Sequence, residues 1–334
     1  MRTSEKTTTY RAAVVGGSGF TGAELAELLV RHPSLELVAV SSDTQAGSPV
    51  AESLPRVRTG LDFCRHDEVA DVDAAFLCLP DKAAAPIAKR LLDEGTAVVD
   101  LSPDFRLGID DYREWYGEHP HPEMLPGVYG LTELHRDEVA AARLVANPGC
   151  YPTAALLALT PLLALDVQDV VIDAKSGVSG AGKTPNARTH FCSVDSDVTA
   201  YATAGHRHYP EIVAGLTRGG GHPDITFVPQ VVPLQRGIQE TIYVRTAERP
   251  AADDLRALYA EAYDGEPFVD VCDAPPSLRD VARTNRCRIF PTVDERTGRV
   301  LVVVVIDNLL KGASGQALQN MNVMLGLPEQ EGLC

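Results

Sequence analysis

Arg11-Ala-Ala-Val-Val15-Gly16-Gly17-Ser18-Gly19-Phe20-Thr21-Gly22 is the stretch on which the fold turns. A short apolar run ends in a GxxGxxG spacing. Leu25, Leu28 and Leu29 then recur at helical intervals through Ala23–Arg31. This order predicts a strand, a tight loop and a helix. Glycines let the backbone bend and approach a pyrophosphate, which the helix N-terminus receives on its unpaired N–H groups. A plain βα turn needing glycine for its geometry alone is the bland alternative. The second apolar run, Leu35–Val40, favours the dinucleotide reading. Gly16, Ser18, Gly19, Phe20, Thr21 and Gly22 are therefore the candidate cofactor contacts.

The end of the second strand distinguishes NAD from NADP. An acid there holds the ribose 2′-hydroxyl. Here Ser41 and Ser42 stand in that place, and hydroxyls donate to a 2′-phosphate, so the expected cofactor is NADP. Asp43 follows and works against that expectation, and no Arg or Lys occurs until Arg56. Further along, Ala74–Leu79 and Ala97–Asp100 read as strands, with a helix over Ala83–Asp93 that Gly95 ends. Strand and helix in alternation imply a parallel sheet with right-handed crossovers. Leu101-Ser-Pro-Asp-Phe-Arg106 then forms a polar loop at a strand's C-terminal end, where such sheets place ligands. Arg106 is a candidate for an anion, or for a salt bridge to Asp104 or Asp110. Residues 110–129, rich in Pro, His and aromatics, read as an irregular excursion.

Leu144-Val-Ala146 is a last strand, and it delivers Asn147-Pro-Gly-Cys150-Tyr-Pro-Thr153. Pro148-Gly149 forces a bend. Pro152 suits a first helical turn, where a missing N–H costs nothing. Cys150 is thus expected just before a helix N-terminus, whose positive dipole end favours thiolate and whose N–H groups can receive an oxyanion. A buried inert cysteine is the alternative, and the turn chemistry speaks against it.

Composition bounds the rest. The 334 residues suit two ordinary domains, and 45% hydrophobic with 23% charged residues mark a globular chain. A net charge of −16 argues against nucleic acid or an anionic membrane surface as partner, but not against a small anionic substrate. No apolar run is long enough to span a bilayer, and Met1–Arg11 lacks the apolar core of a signal peptide, so the cytoplasm is expected. Seven irregularly spaced cysteines without a CxxC pair read as reduced thiols, with no zinc site; Cys78 reads as a small core hydrophobe.

The second half opens with a strand, Asp169–Ala174. It runs into Ser176-Gly-Val-Ser-Gly-Ala-Gly-Lys183, a loop of glycines and hydroxyls with Lys175 and Lys183 at its edges. Such backbone nests bind phosphate, and no Walker spacing follows, so an acyl phosphate is the better ligand; a merely flexible loop is the alternative. In His206-Arg207-His208, residues 206 and 208 share a side if the segment is extended. Either histidine can serve Cys150 as general base and acid, with His208 preferred. A third ligand at metal-binding spacing is missing. Ile225–Val232, Thr241–Arg245, Arg286–Phe290 and Val300–Ile306 read as strands and Asp253–Tyr263 as a helix, which suggests a mixed or antiparallel sheet. A last helix runs to Leu325, with Gly326 as its stop.

Taken together, these blocks resemble the N-acetyl-gamma-glutamyl-phosphate reductase family, within the wider semialdehyde dehydrogenase group. The resemblance rests on Asn147–Thr153, Gly16–Leu25, Asp100–Arg106, Lys175–Gly182, Gly205–His208 with Pro210–Ile212, and Asp307–Ala317, in family order over almost the whole chain. Ser42-Asp43-Thr44 departs from it, since relatives often carry a basic residue there.

The resemblance implies an α/β chain: a Rossmann-type parallel-sheet domain over 10–149 and 308–334, and an α+β catalytic and dimerisation domain over 150–307. It implies that the last helix returns to the nucleotide domain, and that Gly180, Asn308 and Gly312 approach the cofactor. Asn147, Arg106, Ser179, Lys183 and Arg207 are its implied substrate contacts, and a homo-oligomer, dimer or tetramer, is implied. The implied reaction is attack of the Cys150 thiolate on the acyl phosphate of N-acetyl-glutamyl 5-phosphate. Ser179 or Lys183 helps phosphate leave, NADPH reduces the thioacyl carbon, and His208 protonates the collapsing oxyanion. A sister reductase acting on an aminoadipate or aspartyl acyl phosphate, and a non-catalytic NADP-binding sensor, are the rival readings.

Overall fold

The structure, a computed structural model, describes residues 9–334, so most of the polar N-terminal segment lies outside the described residues. The chain forms two compact units. One comprises the segment up to Asn147 together with Gln316–Cys334, and the other is Pro148–Gly315.

In the first unit the apolar runs become buried parallel strands. The order is β1 (Tyr10–Val15), α1 (Phe20–Leu29), β2 (Leu35–Ser41), α2 (Val50–Ser53), β3 (Ala74–Leu77), α3 (Ala84–Asp93), β4 (Ala97–Asp100), α4 (Ile109–Tyr116), β5 (Val128–Tyr129), α5 (Thr132–Ala141) and β6 (Leu144–Ala146). The sheet runs β2-β1-β3-β4-β6-β5, with every pairing parallel. Residues 110–129 are not irregular throughout. Helix α4 occupies Ile109–Tyr116, with Asp110 and Asp111 in its first turn and Tyr112 its one buried side chain. A single buried position leaves no apolar period to detect, and acids at the positive helix end supply the missing support.

The second unit begins with α6 (Cys150–Leu159), followed by β7 (Val167–Gly177), α7 (Phe191–Val194), β8 (Thr199–Ala200) and α8 (Tyr209–Arg218). It continues through β9 (Asp224–Val232), β10 (Ile238–Thr246), α9 (Ala252–Ala262), β11 (Val269–Val271), β12 (Cys287–Val293) and β13 (Val300–Ile306). The seven-stranded sheet runs β11-β12-β13-β10-β7-β9-β8 and mixes parallel with antiparallel pairs, as the strand pattern suggested. Helix α6 is apolar on every side, and Tyr151 through Leu159 are all buried. Its last carbonyls are satisfied by the hydroxyls of Tyr259 and Tyr263, which donate to Ala158 and Leu157.

A π-turn over Leu310–Ser314 leads into α10 (Gly315–Met324). Ala317, Leu318 and Met321 then join Val14, Leu25, Leu29, Phe76 and Val99 in the core of the first unit. The expected boundaries were 149/150 and 307/308. The compact units instead part at Asn147/Pro148 and Gly315/Gln316. The reason is bonding: Gly149 donates to Glu211, and Asn308 accepts the Gly237 amide and donates to Ser179, so both flanks belong to the second unit.

Candidate active site

The glycine loop of the first unit is shaped by close approach. Gly16 has φ +84°, and a Cβ there would lie 2.4 Å from the Cys78 carbonyl oxygen. A Cβ on Gly17 would meet Val40 at 2.2 Å, and one on Gly22 would meet the Gly16 carbonyl oxygen at 2.5 Å. The Gly16 and Gly17 amides donate to the Ser41 carbonyl at 3.1 and 2.9 Å. Helix α1 opens at Gly19 with no side-chain cap, and Phe20 stands exposed beside it. An uncapped helix start behind a loop whose one side chain is Ser18 fits a dinucleotide's pyrophosphate. Cys78 is half-buried against this loop, and desolvation pushes its thiol up to about 12, so it is no nucleophile.

The expected reading of β2's end changes in one respect. Ser41 is fully buried and its Oγ lies 2.8 Å from His66 Nδ1, so it holds His66 rather than a ribose phosphate. Ser42 Oγ donates to Ser18 Oγ at 2.9 Å, which ties the strand end to the glycine loop.

Arg106 and Asn147 are corrected together. Arg106 Nε donates to the Asn147 carbonyl at 2.8 Å and Nη2 to the Leu101 carbonyl at 2.7 Å. Asn147 is 1% exposed, and its Oδ1 accepts from Asn320 Nδ2 at 3.1 Å. Both residues therefore brace the strand end that leads to the central turn. These two bonds are to backbone carbonyls, and neither is the anion contact or the salt bridge expected for Arg106. Asp104, one of the two expected salt-bridge partners, accepts from the Lys82 and Ala85 amides and the Tyr112 hydroxyl.

In the second unit Cys150 is half-buried and is the first residue of α6, with Gly149 as N-cap. Its place depends on Gly312, since a Cβ there would come 2.8 Å from Cys150 Cβ. Gly312 is thus needed for the cysteine's own packing. Glu211, 2% exposed in the first turn of α8, accepts the Gly149 N–H at 2.7 Å. This side chain had no role in the sequence reading. Only its sequence position, three residues past His208, hinted at one. Because Glu211 occupies the Gly149 amide, that N–H is removed from the expected oxyanion donors.

The histidines gather on Tyr151, the residue after the cysteine. Its ring centroid lies 5.6 Å from that of His206 and 5.8 Å from that of His208. His206 is also edge-on to Phe227 and Tyr201, and its Nδ1 accepts the His208 amide at 3.0 Å. Burial pushes His206 down to about 4, so it is neutral near pH 7. His208 is the N-cap residue of α8. Arg207 between them is exposed, but the segment is a turn closed by the Tyr209 amide on the His206 carbonyl and not the extended run on which the alternation rested.

The glycine and hydroxyl loop is not the open nest that was expected. The amides of Gly177, Val178 and Ser179 donate to the carbonyls of Gly237, Leu234 and Gln235. Strand β7 is longer than predicted and zips onto the segment before β10, which consumes those donors. Lys175 is also lost to the loop, because it pairs with Asp173. Ser179 Oγ accepts from Asn308 Nδ2 at 3.0 Å, and Asn308 Oδ1 accepts the Gly237 amide at 2.6 Å. Asn308 therefore fixes Ser179 from one side. A buried Arg236–Asp307 pair, with Nε to Oδ2 at 2.8 Å, holds the segment that carries it. A Cβ on Gly180 would press on Ser176 Oγ at 2.8 Å, and Lys183 is exposed at the loop's far end.

A thiol at a helix start, two imidazoles against the tyrosine that follows it and a separate glycine cradle for a dinucleotide point to a class: a nucleotide-linked oxidoreductase. The semialdehyde dehydrogenase NAD-binding domain matches residues 11–142, and the semialdehyde dehydrogenase dimerisation domain matches residues 150–308. Aspartate semialdehyde dehydrogenase II of Vibrio cholerae has the same fold, with a TM-score of 0.75 at 17% identity over 96% of this chain and 99% of that one. The chain is 46% identical over 332 residues to an N-acetyl-gamma-glutamyl-phosphate reductase of Dehalococcoides mccartyi, covering 97% of both. It is 47% identical over 337 residues to the protein of that name from Geobacter sp., again covering 97% of both. It belongs to the N-acetyl-gamma-glutamyl-phosphate reductase family of NAD(P)-dependent oxidoreductases. That membership sets aside the reading of a non-catalytic sensor.

Proposed function

We propose that this chain reduces N-acetyl-glutamyl 5-phosphate to N-acetylglutamate 5-semialdehyde and phosphate with NADPH, a step of arginine biosynthesis. The observation that carries the reading is Cys150 at the first position of α6, with both histidine rings against the adjacent Tyr151. The helix start favours the thiolate, and His208 draws off its proton. His208 is preferred because His206 is held neutral and its Nδ1 is already bonded to the His208 amide.

Cys150 Sγ bonds to the acyl carbon, the C–O bond to phosphate breaks, and a thioester remains. Ser179, still able to donate its own proton, and Lys183 stabilise the departing phosphate. The glycine loop Gly16–Gly22 would hold NADPH, which would supply the hydride when bound. His208 holds its proton toward the resulting oxyanion until the aldehyde forms and the Cys150 thiolate is released. Arg207 is the proposed contact for the substrate carboxylate. Two copies are proposed to pair through the half-buried face of the seven-stranded sheet, where Tyr243, Phe290, Leu301 and Val303 alternate with buried residues. Seven free thiols suit a reducing compartment, the cytoplasm.

The test is the reverse reaction, read at the NADPH absorbance band with NADP, N-acetylglutamate semialdehyde and phosphate. A phosphate-dependent rise is expected. Cys150→Ser should abolish it, and His208→Asn should slow it by about 10²–10⁴ while NADPH binding persists. A rise only with an aspartate or aminoadipate semialdehyde would reject the substrate. Full turnover in Cys150→Ser would reject the mechanism.

A further inference from the structure

We infer that the 2′-phosphate of NADP is read by Arg65 and His66, which reach the end of β2 from a separate segment of the chain. This inference rests on the cofactor reading above and names the residues that make the choice.

The sequence around β2 offers no cation: Ser41, Ser42, Asp43 and Thr44 stand where a basic residue would be useful. The fold supplies one from elsewhere. Residues 63–66 run beside the last residues of β2. Cys64 pairs in parallel with Ser41, the Cys64 amide donates to the Val40 carbonyl at 3.1 Å, and the Ser42 amide donates to the Cys64 carbonyl at 2.9 Å. The next two residues are Arg65 and His66. They therefore emerge at the same edge as Ser42 and Asp43.

This segment is anchored from two sides. Ser41 Oγ meets His66 Nδ1 at 2.8 Å, and Arg90 of α3 donates to the carbonyls of Val69 and His66 at 2.8 and 3.3 Å. Where Ser41 donates to Nδ1, the neutral ring carries its proton on Nε2 and offers it as a donor. Asp43, the acid that speaks for NAD, is turned to this loop: its Oδ1 accepts the His66 amide at 2.9 Å, and its Oδ2 lies 3.8 Å from His66 Nε2.

A cleft of about 430 Å³ opens between these groups and α3, enough for the adenosine half of a dinucleotide. Leu79, Ala83 and Ile87 form its apolar wall, which suits a flat base; Asp43, Arg65 and His66 form its polar wall. Among the described residues Arg65 is paired only with Asp67, at 3.1 Å, with side chains 54% and 71% exposed. Such a pair contributes little, so a dianionic phosphate can displace the carboxylate and take the guanidinium's fork. Glu68, the other nearby acid, is occupied by the Arg65 amide at 2.7 Å.

The test compares dissociation constants for NADPH and NADH by nucleotide fluorescence, in the full chain and without substrate. Wild type should favour NADPH. Arg65→Ala and His66→Gln should each weaken NADPH by about tenfold or more and leave NADH within about twofold. Asp43→Asn, which removes a negative charge beside the phosphate, should tighten NADPH. Arg65 is exposed, so its variant tests the idea even if His66→Gln disturbs the loop. Equal losses for both nucleotides, no loss for either, or a wild-type preference for NADH would overturn the assignment. So would Asp43→Asn weakening NADH, since Asp43 would then hold a ribose hydroxyl. A selective loss of NADPH binding in a chain inactive in the reverse reaction would leave this inference standing and sink the substrate reading.

Discussion

Glu211 is the residue through which α8 reaches the turn that carries Cys150, the proposed nucleophile. Its carboxylate accepts the buried Gly149 amide at 2.7 Å, directly before Cys150. Glu211→Ala leaves that N–H unpaired, at a cost of about 1–3 kcal/mol. We expect turnover to fall about ten- to a hundredfold, with the dissociation constant for NADPH unchanged. Glu211→Gln keeps an acceptor oxygen in place and should recover most of the loss. Steady-state kinetics of the two variants separate positioning from bulk stability: a glutamine variant no better than the alanine variant would contradict this role. Much at this scale was legible beforehand. Cys150, the two histidines and the glycine loop stand out because their spacing carries a local mechanism. Glu211, Arg65 and His66 do not, because each acts on a residue far away in the chain and leaves no local pattern.

Among the elements, β10 carries an unusual burden. Glu240 is 0% exposed in the middle of this strand, and neither carboxylate oxygen has a hydrogen-bond partner. Desolvation holds its carboxyl well above the usual carboxylate range, so the folded chain keeps it protonated. The sign follows from linkage. Below the ordinary value of 4.5 both states hold the proton and Glu240 imposes no ionic penalty. As pH rises above it, the unfolded chain ionises while the folded chain resists, so stability is lost with rising pH. Glu240→Gln should therefore flatten the fall in melting temperature between about pH 5 and 8. Thermal unfolding at both pH values checks this, and an unchanged slope in the variant would assign the dependence to other groups. Elements were legible where apolar periodicity was strong, as in β1, β3 and β13. They were misread where it was absent, as in α4, or where pairing extended a strand past its apolar run, as in β7.

For the whole molecule, the expectation is a homo-oligomer. Light scattering should return at least twice the 35.8 kDa of one chain. Val303→Asp together with Tyr243→Asp, on the half-buried face of the seven-stranded sheet, should shift that mass toward a single copy by placing unpaired charge in an apolar interface. A wild-type mass of one chain would dismiss the interface. No described helix is long and apolar enough to cross a membrane.

The division between chain and fold has a physical basis. Composition, the strand–glycine–helix opening and the Pro-Gly-Cys-Tyr-Pro turn each act within a few residues, so the linear sequence alone determined the parallel nucleotide unit, the mixed second sheet and the place of Cys150 at a helix start. What a side chain touches depends on which distant segment folds against it. Only the tertiary structure could turn Arg106 and Asn147 into braces of the turn, consume the amides of Gly177–Ser179, seat Gly312 on Cys150, and bring Arg65 and His66 to the end of β2.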